Sequence, residues 1–327
     1  MSAVDRRRFM VGSALLPLTL SCDRQPSSTP SEPAEAPPPV EEERVLEEGR
    51  SEFNHVVVTQ QGSMRRMYFE VDGKRLLQST YDVARPQMLH HEVFQTMVGS
   101  LLVQPGVQRM CMIGLGGGQL SNYLFRTVPG LTIDVVEICP EVVRLARAYF
   151  GVPDDPRYRT HVDDGRVFVE QQEPASVDLL VHDAYRGHSI PKHLRTQEFF
   201  ESCAARLAPG GVLVANMHRR SARYPADRAT MAAVFRHCYR FSSADDVQTS
   251  VVSTMAEDVV SPEVLLANAQ RLQPGFDIDL RGLAGRCLVD EAGWDPTAIP
   301  HDDFEGTLDE AARRHNLSCA PRCDGDE

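Results

Sequence analysis

The feature that most constrains the fold is a run of glycines directly after a short apolar segment. Residues 110–113 read MCMI, residues 114–118 read GLGGG, and a helical pattern begins at Gln119. Clustered glycines mark either a turn with positive φ or a place where a ligand lies against the main chain. Backbone N–H groups at the start of the following helix would face such a ligand. The pattern therefore predicts a strand, a glycine loop and a helix beside a ligand site.

Strand and helix patterns alternate after this loop. The apolar runs LTIDVVE, VDLLVHD and GGVLVANM are separated by the helical runs PEVVRLARAYF and TQEFFESCAARLA. This alternation predicts an α/β fold with a Rossmann-like, mostly parallel sheet. Residues 224–241 are predicted to form a further helix and residues 247–257 a further strand. Upstream, short β-rich runs separated by Gln-Gly and Asp-Gly turns within residues 53–79 predict a small antiparallel β-hairpin domain.

Acidic residues follow three consecutive predicted strands. Glu137 ends one strand, the pair Asp163 and Asp164 ends the next, and Asp183 ends the third. Ligands of open α/β sheets bind in the crevice outside the carboxyl ends of the strands. A carboxylate there accepts two hydrogen bonds, as a ribose diol requires. The spacing G-x-G-x-G, with Leu120 after it, lacks the third glycine of the dinucleotide fingerprint and argues against NAD.

From about residue 51 to 256 the chain resembles the spermidine synthase family, especially its divergent bacterial branch. The segments that carry the resemblance are VDGKRLLQS, IGLGGGQL, DVVEICPEVVRLARAYF, DPRYRTHVDDGRVFV, VDLLVHDAYRGHSIPKHLRTQEFF and LAPGGVLVANM. The resemblance implies a β-hairpin domain followed by a class I methyltransferase-like domain. It also implies transfer of an aminopropyl group from decarboxylated S-adenosylmethionine to a small-molecule amine or polyamine, without a metal.

The resemblance also assigns residues to the site. Asp183 is expected to be the catalytic base for the attacking amine, Glu137 to bind ribose and Asp164 to bind adenine. The remaining residues expected to bind the adenosyl ligand are Gly114, Gly116, Gly118 and Gln78.

Three positions depart from the family pattern. Gly117 replaces an aspartate that grips the aminopropyl ammonium, and Arg186 replaces a second aspartate after the catalytic one. Arginine cannot accept a proton and repels a cationic diamine. Cys139 replaces a further aspartate at the end of the second strand.

Alternatives remain open. Histidines in the segment after the fourth strand are either bases near neutral pH or solvated loop residues; they are His182, His188 and His193. Methyl transfer from S-adenosylmethionine is a second function, although Met112 stands where methyltransferases often carry an acid. A third is an exported, catalytically silent protein that binds nucleosides or polyamines, which Gly117 and Arg186 favour.

The first residues predict export. Three arginines at 6–8, an apolar run too short to span a bilayer and Cys22 resemble a twin-arginine lipoprotein signal. The protein is therefore expected in the periplasm or anchored to the membrane through lipid on Cys22. The expected domains are a signal at 1–22, a Pro/Glu-rich linker at 23–48, the β-hairpin unit at 49–82, the catalytic domain at 83–260, and a C-terminal helix with an acidic tail at 261–327.

Composition narrows the partners. A net charge of -12 argues against nucleic acid as a ligand; it is compatible with cationic small molecules but more simply serves solubility. Apart from Cys22, seven cysteines remain, and CAPRC at 319–323 could close a local disulfide. No metal-binding spacing is present, and whether the chain forms a homodimer is left open.

Overall fold

The smaller of two sheets lies at the start of the described chain. The computed structural model describes residues 41–185, 190–219, 221 and 223–290. The smaller sheet is antiparallel, in the order β1-β2-β3-β4. Its strands are β1 (Arg44–Arg50), β2 (His55–Gln61), β3 (Met64–Val71) and β4 (Lys74–Asp82). Tight turns with positive φ at Gly62 and Gly73 join the later strands, as the sequence predicts.

The larger sheet has the order β12-β10-β11-β9-β8-β5-β6-β7. Its strands are β5 (Arg109–Ile113), β6 (Thr132–Glu137), β7 (Tyr158–Val162), β8 (Val177–His182), β9 (Leu207–His218), β10 (His237–Ser242), β11 (Gln248–Thr254) and β12 (Leu288–Asp290). The five strands from β9 to β7 are parallel, whereas β10, β11 and β12 add antiparallel pairs. The predicted α/β fold with a preceding antiparallel unit is confirmed.

Helices cover both faces of this sheet. They are α1 (Glu92–Met97), α2 (Ser100–Val103), α3 (Gln119–Thr127), α4 (Pro140–Tyr149), α5 (Gly165–Gln171), α6 (Gln197–Arg206), α7 (Tyr224–Val234), α8 (Pro262–Leu272) and α9 (Leu280–Gly285). Met110 and Met112 of β5 enter one apolar cluster, and Cys111 and Ile113 enter the other. Burial on both faces explains why the central strands read as continuous apolar runs.

The predicted linker overlaps the first strand. Residues 44–48 belong to β1, which pairs antiparallel with β2. The acidic composition suggested a solvated segment, but these acids have partners: Glu47 accepts a hydrogen bond from Tyr149 Oη at 2.6 Å, and Glu43 accepts one from Thr59 Oγ1 at 2.6 Å. An edge strand can form through backbone pairing even when its sequence has few apolar residues. The predicted linker therefore extends too far at its C-terminal end, where residues 44–48 belong to β1.

The predicted helix at 224–241 is wrong in its second half. Helix α7 ends at Val234, and strand β10 begins at His237. Tyr239 and Phe241 of β10 pack into one apolar cluster, whereas Cys238, the residue before Tyr239, packs into the other. This alternation is the period of a strand, and pairing with both β11 and β12 outweighs the local helical pattern.

The segment after residue 260 is part of the fold. Helix α8 buries Leu265, α9 buries Leu280 and Leu283, and β12 pairs with β10 at the edge of the larger sheet. The predicted domain boundary at 260/261 therefore separates β12 from the other strands of the same sheet. The sequence did not predict β12, because this strand has only three residues. The acidic tail beyond residue 290, with Cys319 and Cys323, lies outside the described residues.

The predicted signal at 1–22 and most of the predicted linker also lie outside the described residues. Among the helices that are described, none combines the length and apolar character needed to cross a bilayer. The five cysteines between residues 111 and 287 are all free thiols.

We expect Leu265→Ala to lower the free energy of unfolding by about 2 to 5 kcal/mol, the usual cost of emptying a buried leucine site. Leu265 is 1% exposed, whereas its neighbour Val264 is 48% exposed. Val264→Ala is the matched control and should change stability by less than about 0.5 kcal/mol. Urea unfolding of both variants is the measurement, and equal stabilities would contradict the placement of α8.

Candidate active site

The glycine loop connects β5 to α3 in the conformation that its sequence requires. Gly114, Gly116 and Gly118 have φ of 93°, 52° and 69°. A Cβ on Gly114 would lie 2.4 Å from the carbonyl oxygen of Asp183. Only glycine therefore permits the end of β5 to pass so close to the end of β8.

Gly117 has a different reason to lack a side chain. Its φ is not in the left-handed region, but a Cβ there would lie 2.5 Å from Ser79 Oγ and 2.8 Å from Phe150 Cδ1. Ser79 belongs to β4, and Phe150 follows α4 and is fully buried. Ser79 and Phe150 therefore fill the direction in which an aspartate at this position would leave the backbone.

Glu137, at the end of β6, holds the loop. Its Oε2 accepts a hydrogen bond from the backbone N–H of Leu115 at 3.0 Å, and its Oε1 accepts one from Cys139 at 3.0 Å. Burial raises the pKa of Glu137, and the backbone N–H groups only partly offset this effect. Backbone N–H groups of Gly116 and Ile138 also donate to this carboxylate, so a ribose diol would share an acceptor that already holds the glycine loop.

Asp164 caps helix α5. Its Oδ1 accepts hydrogen bonds from the backbone N–H groups of Arg166 at 2.9 Å and Val167 at 3.2 Å. Its Oδ2 lies 2.8 Å from His193 Nε2, which must donate because a carboxylate only accepts. Burial would raise the pKa of Asp164, but the hydrogen bond from His193 and the backbone N–H groups lower it below its ordinary value.

Asp183 has a different environment. Its described side-chain partner is Asn216 at the end of β9, whose Nδ2 donates to Asp183 Oδ1 at 2.9 Å. Burial raises the pKa of Asp183 to about 7, and the hydrogen bond from Asn216 offsets this only in part. A carboxylate with such a pKa is suited to exchange protons near neutral pH.

The histidines that the sequence singled out separate into distinct roles. His182 is 1% exposed, and its Nε2 lies 2.8 Å from the carbonyl oxygen of Leu194. Burial lowers the pKa of His182 to about 4, so it is neutral near pH 7. His193 pairs with Asp164, and His188 and Arg186 lie outside the described residues.

One cavity with a volume of about 300 Å³ is lined by Glu137, Asp164, Asp183 and His193. The predicted site residues in its wall are Gln78, Gly114, Gly116, Glu137, Asp164 and Asp183. Gly118 is not in this wall and instead precedes helix α3 as its N-cap. Their roles toward a ligand remain predictions.

Sequence reasoning missed other residues of the cavity wall. Asn216, Tyr185 and His91 line it, and Tyr185 Oη donates to the carbonyl oxygen of Asn216 at 3.0 Å. The position of Asn216 at the end of a strand was the one available signal, since the strand ends of a parallel sheet meet at one edge.

The fold is similar to those of a methyltransferase-like protein and of a probable spermidine synthase. Human methyltransferase-like protein 13, solved with SAH, has a similar fold, with a TM-score of 0.51 at 23% identity over 64% of this chain and 96% of that chain. A probable spermidine synthase from Corynebacterium glutamicum aligns with a TM-score of 0.63 at 22% identity over 81% of this chain and 98% of its own.

The chain belongs to the spermine/spermidine synthase family, whose domain profile matches residues 88–258. A similar relative is the polyamine aminopropyltransferase of Vibrio vulnificus. It is 29% identical over 261 residues, which cover 78% of this chain and 87% of the relative. The resemblance stated from the motifs is confirmed.

We expect Asp183→Asn to stabilise the ligand-free protein increasingly as the pH rises. The pKa of Asp183 is raised from 3.8 to about 7 in the folded state, so folding opposes its ionisation. In the native protein, ionised Asp183 lowers the free energy of unfolding. This destabilisation is absent below about pH 4, grows by roughly 1.4 kcal/mol for each pH unit and is complete above about pH 7. Urea unfolding at pH 5 and pH 8 measures the difference.

Asp178→Asn is the control, and it should lower the free energy of unfolding where Asp183→Asn raises it. Burial would raise the pKa of Asp178, but hydrogen bonds from Arg109 and the backbone lower it below 3.8. Its native carboxylate therefore stabilises the fold above about pH 4, and this stabilisation is lost as the pH falls. A benefit of Asp183→Asn that is the same at pH 5 and pH 8 would contradict the buried environment of Asp183.

Proposed function

We propose that this protein transfers an aminopropyl group from decarboxylated S-adenosylmethionine to a small-molecule amine. The observation that carries the proposal is that the half-buried Asp183 lies in one cavity with the glycine loop and Glu137, with its pKa raised to about 7. Membership of the spermine/spermidine synthase family supports the same reaction.

The cavity suits an adenosyl compound as donor. Its volume of about 300 Å³ is at the lower end of ordinary small-molecule sites. Glu137 lines the cavity as an acceptor for ribose hydroxyls, and Gly114 and Gly116 leave the backbone uncovered. Asp164 retains one lone pair on Oδ2 beside His193, so an adenine amino group would bind next to this pair.

Asp183 would prepare the acceptor. An amine arrives as an ammonium ion and must lose a proton before it can attack. Asp183 takes that proton, the nitrogen lone pair forms the new N–C bond, and the electron pair of the C–S bond goes to sulfur. Methylthioadenosine leaves as a neutral thioether, the product amine leaves protonated, and Asp183 releases its proton to water. General-base help of this kind contributes about 10² to 10⁴ in rate.

Methyl transfer from S-adenosylmethionine is the second candidate, and the packing at Gly117 favours it. The family aspartate that would hold an aminopropyl ammonium is absent, and Ser79 and Phe150 occupy its direction. The mass of the product distinguishes the two reactions, because an aminopropyl and a methyl group add different masses to the same amine.

Separate substitutions should divide binding from turnover. Asp183→Asn should reduce kcat by about 100-fold or more and leave methylthioadenosine affinity nearly unchanged, because it removes only the base. Glu137→Gln should weaken methylthioadenosine binding by about 1.5 to 3 kcal/mol, the scale of hydrogen bonds to charged groups. Calorimetry and a methylthioadenosine-release assay are the measurements.

Glu141→Gln is the matched control for the second variant. Glu141 lies in the first turn of α4, pairs with Arg144 at 2.8 Å and is not in the cavity wall. It should leave both affinity and turnover unchanged. Full turnover in Asp183→Asn would remove Asp183 from the proposed mechanism.

We further propose export to the periplasm with a lipid anchor on Cys22, on the strength of the N-terminal sequence alone. The double change Arg6→Lys, Arg7→Lys should retain the precursor in the cytoplasm, and Cys22→Ala should release a soluble form. Cell fractionation is the measurement, with Arg24→Lys as the control. Unchanged membrane-bound protein in all three variants would rule out this route.

A further inference from the structure

Helix α1 borders the end of the cavity that contains Asp183. Thr96 Oγ1 on α1 lies 2.6 Å from Ser250 Oγ on β11. Ser250 is paired with Asn216 of β9, and Asn216 holds Asp183 by its 2.9 Å hydrogen bond. Val93, about one helical turn before Thr96, lines the cavity, and so does Phe94. The acceptor amine would therefore enter beside the apolar side chains of α1.

The opposite end of the cavity belongs to the nucleoside. Ser51 Oγ lies 3.3 Å from Cys139 Sγ, which places the chain around Phe53 and Asn54 beside the end of β6. Phe53, Asn54 and Glu137 all line the cavity. The two ends thus differ: Glu137, the proposed ribose ligand, lies at one end, and Asp183, the proposed base, lies at the other.

The wall around Asp183 carries no second carboxylate among the described residues. The described lining contains three carboxylates, namely Glu137, Asp164 and Asp183. Glu137 already accepts hydrogen bonds from the glycine loop, and Asp164 from its helix and from His193.

The other lining groups at this end are uncharged. Val93, Phe94 and Ala184 are apolar, Asn216 is a neutral amide, and burial lowers the pKa of the nearby His91. A second ammonium placed against this wall would lose its water without gaining a counter-charge. An alkyl or aromatic arm would instead gain from the burial of apolar surface.

We propose that the acceptor is a primary monoamine with an apolar arm, selected by Val93 and Phe94, rather than a diamine. This inference rests on the proposed function, because it names the substrate of the same site. The N–C bond forms and the C–S bond breaks as described above, so the products are methylthioadenosine and a secondary amine that carries the aminopropyl group. Asp183 serves the single reacting nitrogen.

The test compares amines of equal carbon length on the full-length protein with decarboxylated S-adenosylmethionine as donor. Butylamine should be used with a kcat/KM at least about tenfold above that of 1,4-diaminobutane, because only the diamine leaves an unpaired charge. Hexylamine should exceed butylamine, by about fourfold for each methylene that the wall can cover. Methylthioadenosine release gives the rates, and product masses identify the transferred group.

Val93→Asp and Val93→Asn form a matched pair, since the two side chains differ in charge and hardly in size. The aspartate should shift the preference toward 1,4-diaminobutane by about tenfold or more, because it supplies the missing counter-charge. The asparagine should weaken the use of both amines without this shift. A wild-type preference for the diamine, or the same ranking in both variants, would overturn the inference.

Amine binding, measured without turnover, tests the preference for a monoamine independently of the proposed aminopropyl transfer. Calorimetric titration of each amine into the protein saturated with methylthioadenosine ranks their binding without turnover. Absence of transfer with every amine would defeat the proposed aminopropyl transfer, while the binding rank would still decide the inference. Tighter binding of butylamine supports a monoamine site, and tighter binding of 1,4-diaminobutane overturns it.

Discussion

The junction of three parallel strands at Gly114 is the contact on which the site depends. The backbone N–H of Gly114 donates to the carbonyl of Val136 at 2.8 Å, and that of Asp183 donates to the carbonyl of Ile113 at 2.9 Å. These bonds extend the ladders of β6 and β8 to the first residue of the loop. Because no side chain intervenes at Gly114, Glu137 and Asp183 reach the cavity from opposite sides of one short backbone segment.

Burial gives the three acids of the cavity different properties. Asp164 has enough hydrogen-bond donors to remain ionised, and its pKa is lowered. Glu137 has backbone donors that do not fully compensate for burial, so its pKa is raised. Among the described residues, one amide, that of Asn216, donates to Asp183, and its pKa rises to about 7. The number and kind of hydrogen-bond donors, rather than the residue type, thus determine how readily each of these carboxylates ionises.

The order of strands and helices along the chain could be predicted largely because the sequence patterns that indicate them are local. Periodicity, glycine turns and the α/β alternation gave the parallel strands β5 to β9. Prediction failed where pairing decided the structure: β10 follows a helical pattern but pairs on both sides, and β1 has a linker's composition but completes an edge. The site was predictable at strand ends and at the glycines. Asn216 and the His193 partner of Asp164 were missed, because these contacts join residues 33 and 29 positions apart.

The packing around Gly117 bears on how this chain and its relatives could have diverged. Ser79 lies on a strand of the small sheet and Phe150 lies beyond α4, yet both would be in the way of any side chain at Gly117. An aspartate introduced at Gly117 by one substitution would therefore clash with these side chains before it could pair with a cation. Smaller side chains at Ser79 and Phe150 would have to come first, and shortening a buried phenylalanine is itself destabilising. Gly117 is thus held by packing from two other parts of the chain, a strand of the small sheet and the residue after α4.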